Sequence, residues 1–324
     1  SSVDMGAYEG GEEPPPPEFW KVRLDADFGG EGKSWDDAFA TLNDALDVAY
    51  DGDQIWVAAG TYTSGFTVGS GIQIYGGFIG IEESLEERNW VDNKTTLTNL
   101  GGTVVSFVDV SEETVLDGFI ITGGYAGDPN TGGGIYNSGG SPQIANCIIS
   151  ENTACSGGGI YSSNGNPTFT NCIISGNTLF CIGFGTGVHI DSGDATFTNC
   201  TIIGNNYIVR SAKSGGLTFR SGGDLTVTNS IVRGNGVEIY AGFPPFDNIF
   251  ITYSNIQGGW EGTGNIDSDP LFVSAIPYTD APTSEGNYRV FQRSPGIDKG
   301  NNSVWEEILD PVDLDGEERI QNGT

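Results

Sequence analysis

Four basic side chains are the residues of this sequence whose type and spacing first suggest binding chemistry. Arg210, Lys213, Arg220 and Arg233 occur within a short stretch of a chain that has only 13 Lys and Arg. Guanidinium and ammonium groups bind carboxylates through charge-assisted hydrogen bonds. The cluster therefore predicts a groove for an anionic glycan. The alternative interpretation is that these cations balance the acidic side chains around them.

An acidic loop near the end of the sequence could hold a metal ion. Asp310, Asp313 and Asp315 precede Gly316, so several carboxylates surround one turn. Ca²⁺ binds six to eight oxygen ligands and tolerates flexible loops, and we predict a structural Ca²⁺ here. A weaker cluster comprises Asn265, Asp267 and Asp269. The alternative is an acidic turn that pairs with Arg319 or with water.

The sequence predicts no catalytic residue. Its single histidine, His189, lies in a strand-like "GVHID" stretch and is expected to be structural or to lie on the surface. Pairs of acids such as Asp36–Asp37 resemble a solvated helix start. Two carboxylates at a distance suited to glycoside hydrolysis would arise by chance on so acidic a surface.

Composition excludes several classes of partner. The 324 residues include 43 acidic side chains, and the net charge is −30. A polyanion of this kind repels nucleic acids and anionic membrane surfaces, so we expect neither as a partner. The sequence also lacks an apolar run long enough to span a bilayer, and we expect no membrane insertion.

The middle of the chain is built from repeats. "GGGIYNSGGSPQIANCIISEN" begins at Gly132 and "GGGIYSSNGNPTFTNCIISGN" begins at Gly157, an offset of 25 residues. Later units place Asn199-Cys200 and Asn229-Ser230 in the same frame. Short strand-like runs separated by Gly, Asn and Ser, without helices between them, predict parallel β-strands stacked as successive coils. We expect an all-β solenoid of about ten coils.

Two columns of side chains follow from this repeat. An asparagine at the turn of each coil (Asn146, Asn171) tolerates the left-handed backbone conformation and can form a hydrogen-bonded ladder. The cysteine after it (Cys147, Cys172) is expected to stack inside as a small apolar side chain.

Two further cysteines predict a disulfide. Cys155 and Cys181 fall in equivalent loops of adjacent coils. One coil step is compatible with the Cα separation of a disulfide, so we predict a Cys155–Cys181 bond and an oxidising compartment.

A helix is predicted at the N-terminal end of the solenoid. Ser34 precedes "WDDAFATLNDALDVAY", in which Trp35, Phe39, Leu42 and Leu46 recur at helical spacing. Solenoids expose their end coils and need caps. We therefore predict a capping helix over residues 35–50.

Several motifs together carry a resemblance. "KSWDDAFATLNDALDVAYDGDQIWVAAGTY", the Gly-Gly-Ile-Tyr repeats, "SPGIDKGNN" and "DPVDLDGEERI" resemble right-handed parallel β-helix proteins of the pectin lyase-like superfamily, and more narrowly bacterial secreted or surface proteins with a choice-of-anchor Q domain. The resemblance implies a parallel β-helix domain over residues 19–324, irregular over 260–324. It is specific for the fold and weak for function, because this fold carries many activities.

The resemblance also implies a role for the first residues. In such proteins a stretch like "DLDGEERI" is followed by one like "VDMGAYE", whereas here the latter opens the sequence as Val3, Asp4, Met5, Gly6, Ala7, Tyr8 and Glu9. The Pro-rich linker 11–18 is too short to return this strand to the far end of its own solenoid. We therefore expect residues 1–10 to dock on a neighbouring subunit or repeat.

These observations predict a structural subunit or repeat of an extracellular or cell-surface assembly, which forms head-to-tail homopolymers. The alternative is a polysaccharide lyase or glycan-binding module that acts on an acidic polysaccharide through the basic groove. A further alternative is an adhesin that uses the loop 241–248 to contact a partner.

Overall fold

The computed structural model describes residues 16–127, 132–208, 215–220, 222–242, 248–297 and 299–301. Nearly all regular structure in these residues is β-strand. In chain order, the first fifteen strands are β1 (Phe19–Val22), β2 (Gln54–Ala58), β3 (Gly60–Thr63), β4 (Phe66–Val68), β5 (Gln73–Phe78), β6 (Thr95–Thr98), β7 (Val105–Val108), β8 (Val115–Asp117), β9 (Phe119–Thr122), β10 (Tyr125–Ala126), β11 (Ile135–Ser138), β12 (Gln143–Ala145), β13 (Ile148–Ser150), β14 (Thr153–Ala154) and β15 (Ile160–Ser163).

The remaining strands continue the same pattern of short segments. They are β16 (Thr168–Thr170), β17 (Ile173–Ser175), β18 (Thr178–Leu179), β19 (Val188–Ile190), β20 (Ala195–Thr198), β21 (Thr201–Ile203), β22 (Asn206–Tyr207), β23 (Leu217–Phe219), β24 (Leu225–Thr228), β25 (Ile231–Arg233), β26 (Ile239–Ala241), β27 (Ile249–Thr252), β28 (Asn255–Ile256), β29 (Phe272–Ser274) and β30 (Asn287–Val290). One α-helix, α1 (Leu42–Val48), and two 3₁₀ turns, Leu85–Glu87 and Tyr278–Asp280, complete the described elements.

The strands form four parallel sheets that wind around one core. The nine-stranded sheet has the order β1-β2-β5-β8-β12-β16-β20-β24-β27, the eight-stranded sheet β28-β25-β21-β17-β13-β9-β6-β3, the seven-stranded sheet β26-β23-β19-β15-β11-β7-β4, and the four-stranded sheet β10-β14-β18-β22. Each coil passes from the nine-stranded to the eight-stranded and then to the seven-stranded sheet. The predicted all-β parallel solenoid is confirmed. The count of about ten coils is not, since the longest sheet has nine strands.

Alternation along each strand builds the core. In β16, β20 and β24 the middle apolar residues Phe169, Phe197 and Val227 are at most 1 % exposed, while their neighbours face outward. The rings of Phe169 and Phe197 stack with centroids 4.7 Å apart. One hydrophobic cluster runs from Val22 to Ile256, so the coils share a single continuous interior.

The cysteine column lies inside this core, as predicted. Cys147, Cys172 and Cys200 are at most 1 % exposed and are free thiols. Burial raises the pKa of the Cys172 thiol well above its ordinary value. A thiol that stays protonated is a poor nucleophile and metal ligand, so the column acts as packing.

Asparagines form two ladders along the coils. The corner ladder comprises Asn146, Asn171, Asn199 and Asn229, which follow strands of the nine-stranded sheet and have φ angles of 52–58°. The predicted left-handed turns are therefore present. The buried ladder comprises Asn152, Asn177, Asn205 and Asn235, which follow strands of the eight-stranded sheet and are 0 % exposed.

The predicted helix is shorter than the sequence suggested. It begins at Leu42 with Thr41 as the N-cap, whose hydroxyl accepts a hydrogen bond from Asp44 N at 3.1 Å. The predicted start at Trp35 is wrong, because Phe39 pairs with β1: Phe39 N donates to Lys21 O at 2.9 Å. Leu42 and Ala45 join the core beside Val22. A capping function for this helix remains a prediction.

The part of the C-terminal region that the structure describes is less regular. β29 and β30 form a two-stranded antiparallel sheet. Trp260 packs against the core cluster, and Thr283 N donates to Gly176 O at 3.0 Å. Residues 260–297 therefore fold back on the solenoid. The helices in the described residues include none long and apolar enough to cross a membrane.

Candidate functional site

The outer face of the seven-stranded sheet carries a cluster of aromatic side chains outside the core. β11, β15 and β19 pair in register, so Tyr136, Tyr161 and His189 occupy equivalent outward positions. Residues in register on adjacent parallel strands lie about 4.8 Å apart. The preceding residues, Ile135, Ile160 and Val188, are 0 % exposed and anchor these strands in the core.

The rings of this cluster contact one another continuously. Tyr136 and Tyr161 are stacked, with centroids 5.9 Å apart and an interplanar angle of 11°. Tyr161 meets His189 edge-on at 5.2 Å, and Phe184 lies 5.5 Å from His189 and 6.3 Å from Tyr240. We name these five residues the aromatic face. Tyr136, Phe184 and Tyr240 are half-buried and present ring surface to solvent.

One ion pair borders the aromatic face. The Arg220 guanidinium lies over the Phe184 ring, 4.6 Å from its centroid, and Arg220 Nη1 is 3.0 Å from Asp191 Oδ1. The two side chains are 46 % and 33 % exposed. An exposed pair of this kind contributes at most about 1 kcal/mol. Arg220 can therefore exchange Asp191 for another carboxylate at small cost.

His189 is the most enclosed polar group of the aromatic face. The residue is 2 % exposed, and neither ring nitrogen has a hydrogen-bond partner among the described residues. Its Nε2 is 3.7 Å from Asp191 Oδ1, beyond hydrogen-bond distance. Burial, together with the positive charge of Arg220, lowers the pKa of His189 to about 3. The imidazole is therefore neutral near pH 7 and contributes a flat, uncharged ring.

The structure does not bring the predicted basic groove together. Arg220 follows β23 of the seven-stranded sheet, whereas Arg233 ends β25 of the eight-stranded sheet. Arg233 Nη1 is 2.7 Å from Asp267 Oδ1. The two arginines thus lie on different faces of the solenoid, each with its own carboxylate. Arg210 and Lys213 lie outside the described residues.

In the weaker predicted metal cluster, the side-chain oxygens already accept hydrogen bonds from other groups of the protein. Asp267 accepts hydrogen bonds from Arg233 and from Gly258 N, and Asn265 Oδ1 accepts one from Ser254 N. Asp269 Oδ1 accepts one from Leu271 N at 2.9 Å. Within the described ranges, no three His, Cys, Asp or Glu side chains converge as metal ligands. Asp310, Asp313 and Asp315 lie outside those ranges, so structural Ca²⁺ remains a prediction for them.

The structure joins Cys155 to Cys181 by a disulfide. Their Cα atoms are 5.0 Å apart, within the usual range for such a bond. The disulfide ties together the loops that follow β14 and β18, next to the segment that carries Phe184. The predicted docking strand, Val3 to Glu9, lies outside the described residues.

Sequence reasoning did not identify the aromatic face, although the repeat contained its signal. The alignment of the two Gly-Gly-Gly-Ile-Tyr units places Tyr136 on Tyr161. "TGVHI" places His189 at the same position of the next unit. Because outward and inward positions alternate, the strand register alone predicts that these side chains point away from the core. It does not predict that Tyr161 and His189 are only 4 % and 2 % exposed.

A family model described as "Right handed beta helix region" matches residues 69–268. The match covers more than half of the chain. The protein belongs to the right-handed β-helix family. No curated protein sequence matches the chain significantly.

Several solved structures are similar to this right-handed β-helix protein. A pectin methylesterase from Erwinia chrysanthemi is 13 % identical, with 75 % of this chain and 90 % of that chain covered and a TM-score of 0.43. A pectin methylesterase from Aspergillus niger is 15 % identical, with 91 % and 97 % covered and a TM-score of 0.41. Pectate lyase Pel9A is 12 % identical, with 88 % and 92 % covered and a TM-score of 0.43.

Proposed function

We propose that this protein binds a polysaccharide along the aromatic face. The observation that carries the proposal is the run of contacting rings that begins at Tyr136, which stacks on the buried Tyr161, and continues through His189 to Phe184 and Tyr240. Aromatic rings supply large, rigid apolar surface, which matches the C–H faces of pyranose sugars. A row of rings along the solenoid axis suits an extended chain of sugars.

Arg220 gives this surface a polar contact. A guanidinium can hold a carboxylate in a bidentate geometry, and Arg220 is 46 % exposed beside Phe184. Arg220 would therefore contribute binding energy if the ligand were an acidic polysaccharide, which carries carboxylates. The net charge of −30 opposes a polyanion, so we expect binding of acidic polymers to require salt or a divalent cation that screens the charge.

An extracellular location is part of the proposal. The disulfide between Cys155 and Cys181 supports it, because disulfides persist in oxidising compartments.

Affinity electrophoresis in gels that contain neutral or acidic polysaccharides tests the proposal. Phe184→Ala and Tyr136→Ala should each weaken retention by about tenfold, since buried aromatic contacts dominate binding energy. Tyr125→Ala is the matched control: Tyr125 also stacks on a ring, Phe180 at 5.0 Å, but lies on the four-stranded sheet and is 50 % exposed. Equal retention of all three variants and the native protein would overturn the proposal.

Gels with and without Ca²⁺ address the acidic subclass. Retention of polygalacturonate or alginate that rises with Ca²⁺ and falls in Arg220→Ala would support recognition of carboxylates. Retention that is confined to neutral polymers would restrict the proposal to neutral glycans. Release of unsaturated uronates, followed by ultraviolet absorbance, would extend it to lyase activity.

Head-to-tail assembly through residues 1–10 is a separate proposal. It is supported by the sequence resemblance, and its residues lie outside the described structure. Deletion of Ser1–Gly10 should leave folded protein that no longer polymerises, as measured by electron microscopy and analytical ultracentrifugation. Filaments of the same length from the deletion variant would contradict it.

A further inference from the structure

The outer face of the nine-stranded sheet carries a regular array of threonines. β16, β20, β24 and β27 pair in register without bulges. Each of these strands has two outward positions. Seven of these eight positions are threonine and the eighth is Phe250; the threonines are Thr168, Thr170, Thr196, Thr198, Thr226, Thr228 and Thr252. We name these seven residues the threonine face.

The backbone fixes the spacing of this array in two directions. Adjacent parallel strands lie about 4.7–4.9 Å apart, and outward residues two positions apart along a strand are about 6.6 Å apart. The side chains therefore stand on a nearly rectangular lattice. Threonine is branched at Cβ and has few χ1 rotamers, so its methyl and hydroxyl groups have limited freedom.

The hydroxyl groups of the threonine face are available to solvent. All seven threonines are half-buried. The hydroxyls of Thr228 and Thr252 lie 3.4 Å apart, and the other five have no side-chain hydrogen bond within the described part of the chain. The stacked rings of Phe169 and Phe197 lie directly behind two of the strands and support them.

Strand propensity alone does not explain the array. Threonine is common on half-exposed strands, but the same coils have different residues on their other faces. In register, β15, β19 and β23 present Tyr161, His189 and Thr218. β17, β21 and β25 present Ile173, Thr201 and Ile231. Threonine also fills both outward positions of β3 and β6 in the eight-stranded sheet (Thr61, Thr63, Thr96 and Thr98). Among the described strands, however, only the nine-stranded sheet repeats this pattern in three successive coils.

We propose that the threonine face binds ice. The strand spacing and the two-residue step approximate the repeats between water oxygens on a prism face of hexagonal ice. Hydroxyls held on such a lattice can hydrogen-bond to ordered water without reorganisation, and the methyl groups between them exclude disordered water.

Charge also favours this ligand. Two acidic side chains, Asp194 and Asp224, immediately precede β20 and β24 and lie at the rim of the array. Ice carries no net charge, so the −30 charge of the protein does not oppose its approach, in contrast to an acidic polymer. With four coils the face is small, and we expect it to act by inhibiting ice recrystallisation.

Ice recrystallisation and partition of the full chain into slowly growing ice test the proposal. Thr198→Tyr places a bulky ring at the centre of the array and should raise the protein concentration needed for inhibition by about tenfold. Thr198→Val keeps the shape and removes one hydroxyl, so a smaller loss is expected. Thr201→Tyr is the matched control, because Thr201 is half-exposed in the same coil but lies on the eight-stranded sheet.

Circular dichroism and thermal unfolding establish that each variant is folded. Native protein that is excluded from ice overturns the proposal, as does inhibition that Thr198→Tyr and Thr201→Tyr reduce equally. Adsorption to crystalline cellulose or chitin that Thr198→Tyr abolishes, without uptake into ice, would assign the face to a crystalline glycan and also overturns the proposal.

Discussion

The two asparagine ladders have the same spacing along the chain but differ in continuity. Both repeat at intervals of 25, 28 and 30 residues. In the buried ladder every link is present, from Asn152 to Asn177 at 3.0 Å and onward to Asn205 and Asn235. In the corner ladder, Asn171 Nδ2 donates to Asn146 Oδ1, Asn199 Nδ2 has no partner among the described residues, and Asn229 instead exchanges hydrogen bonds with Asn301.

A second contact of each amide explains the difference. In the buried ladder each Nδ2 also donates to a main-chain carbonyl, for example Asn177 to Ile149 O at 2.8 Å and Asn205 to Ile174 O at 2.9 Å. This bond fixes the orientation of the amide, so its oxygen faces the preceding coil and its nitrogen donates to the asparagine of the next coil. The main role of the corner asparagines is to adopt the left-handed backbone conformation. Their side chains therefore form hydrogen bonds with different partners from coil to coil.

The largest expected effect is the removal of one member of the buried ladder. Asn177→Ala removes the acceptor for Asn152 N and Asn152 Nδ2 and the donor to Ile149 O. Buried groups left without partners each cost about 1–3 kcal/mol, so we expect a loss of about 4 kcal/mol. Urea unfolding measures it, and the exposed Asn287→Ala is the control. If Asn177→Ala lost less free energy of unfolding than the variants of the corner ladder, the predicted order of effects would be contradicted.

Replacement of a corner asparagine should have an intermediate effect that depends on the backbone. Asn171 has φ of 58°, and alanine in the left-handed region costs about 1–2 kcal/mol. Asn171→Ala should therefore destabilise the protein by about 2–3 kcal/mol, and Asn171→Gly by about 1 kcal/mol, because glycine accepts this conformation. The difference in urea midpoints measures the effect; equal midpoints for the two variants would refute the conformational role.

The end of the buried ladder should respond to pH. Asn235 Nδ2 donates to Glu238 Oε2 at 2.8 Å, and burial raises the pKa of Glu238 above its ordinary 4.5. The folded state then holds this proton more tightly than the unfolded chain. Its contribution to stability therefore falls as the pH rises from 4.5 through the raised pKa.

Glu238→Gln tests this prediction through the melting temperature as a function of pH. The variant should lose this part of the pH dependence, and the difference between the two proteins should be largest on the alkaline side of the transition. Glu261→Gln, at an exposed position, is the control. Parallel curves for the native protein and Glu238→Gln would show that the ladder end does not titrate.

The smallest effect is expected at the interrupted position of the corner ladder. Asn199 has φ of 57° and an amide nitrogen without a partner among the described residues. Asn199→Gly keeps the conformation and removes the unsatisfied group, so its stability should lie within about 0.5 kcal/mol of the native value. A loss as large as that of Asn171→Gly would show that the ladder is continuous in solution.

The sequence predicted the repeat-dependent features well. The corner asparagines and the cysteine column were found because a fixed offset aligns residues whose roles are local: one turn conformation and one inward position. Asn152 and Asn177 also aligned, but the buried ladder was not predicted. The repeat shows that an asparagine recurs at this position, but it does not show whether the side-chain amide reaches a main-chain carbonyl in another coil.

Features that depend on long-range pairing were harder to predict. Trp35 and Phe39 have helical spacing, yet Phe39 bonds to β1, and this competition is invisible in a local pattern. Arg220 and Arg233 are close in sequence, but thirteen residues are enough to move from one face of a coil to another. Grouping side chains by sequence alone therefore predicted a shared groove that the described arginines do not form.

Some coils are longer than others, and the place where the additional residues are inserted determines how the aromatic face can change in evolution. Asn152 and Asn177 are 25 residues apart, whereas Ile160 and Val188, in the sheet that follows, are 28 apart. The longer interval is therefore absorbed between Asn177 and Val188, the segment that carries Cys181 and Phe184. Insertions at this corner leave every strand register unchanged. Evolution, or a protein engineer, can exchange such segments one coil at a time and give the same scaffold a new specificity.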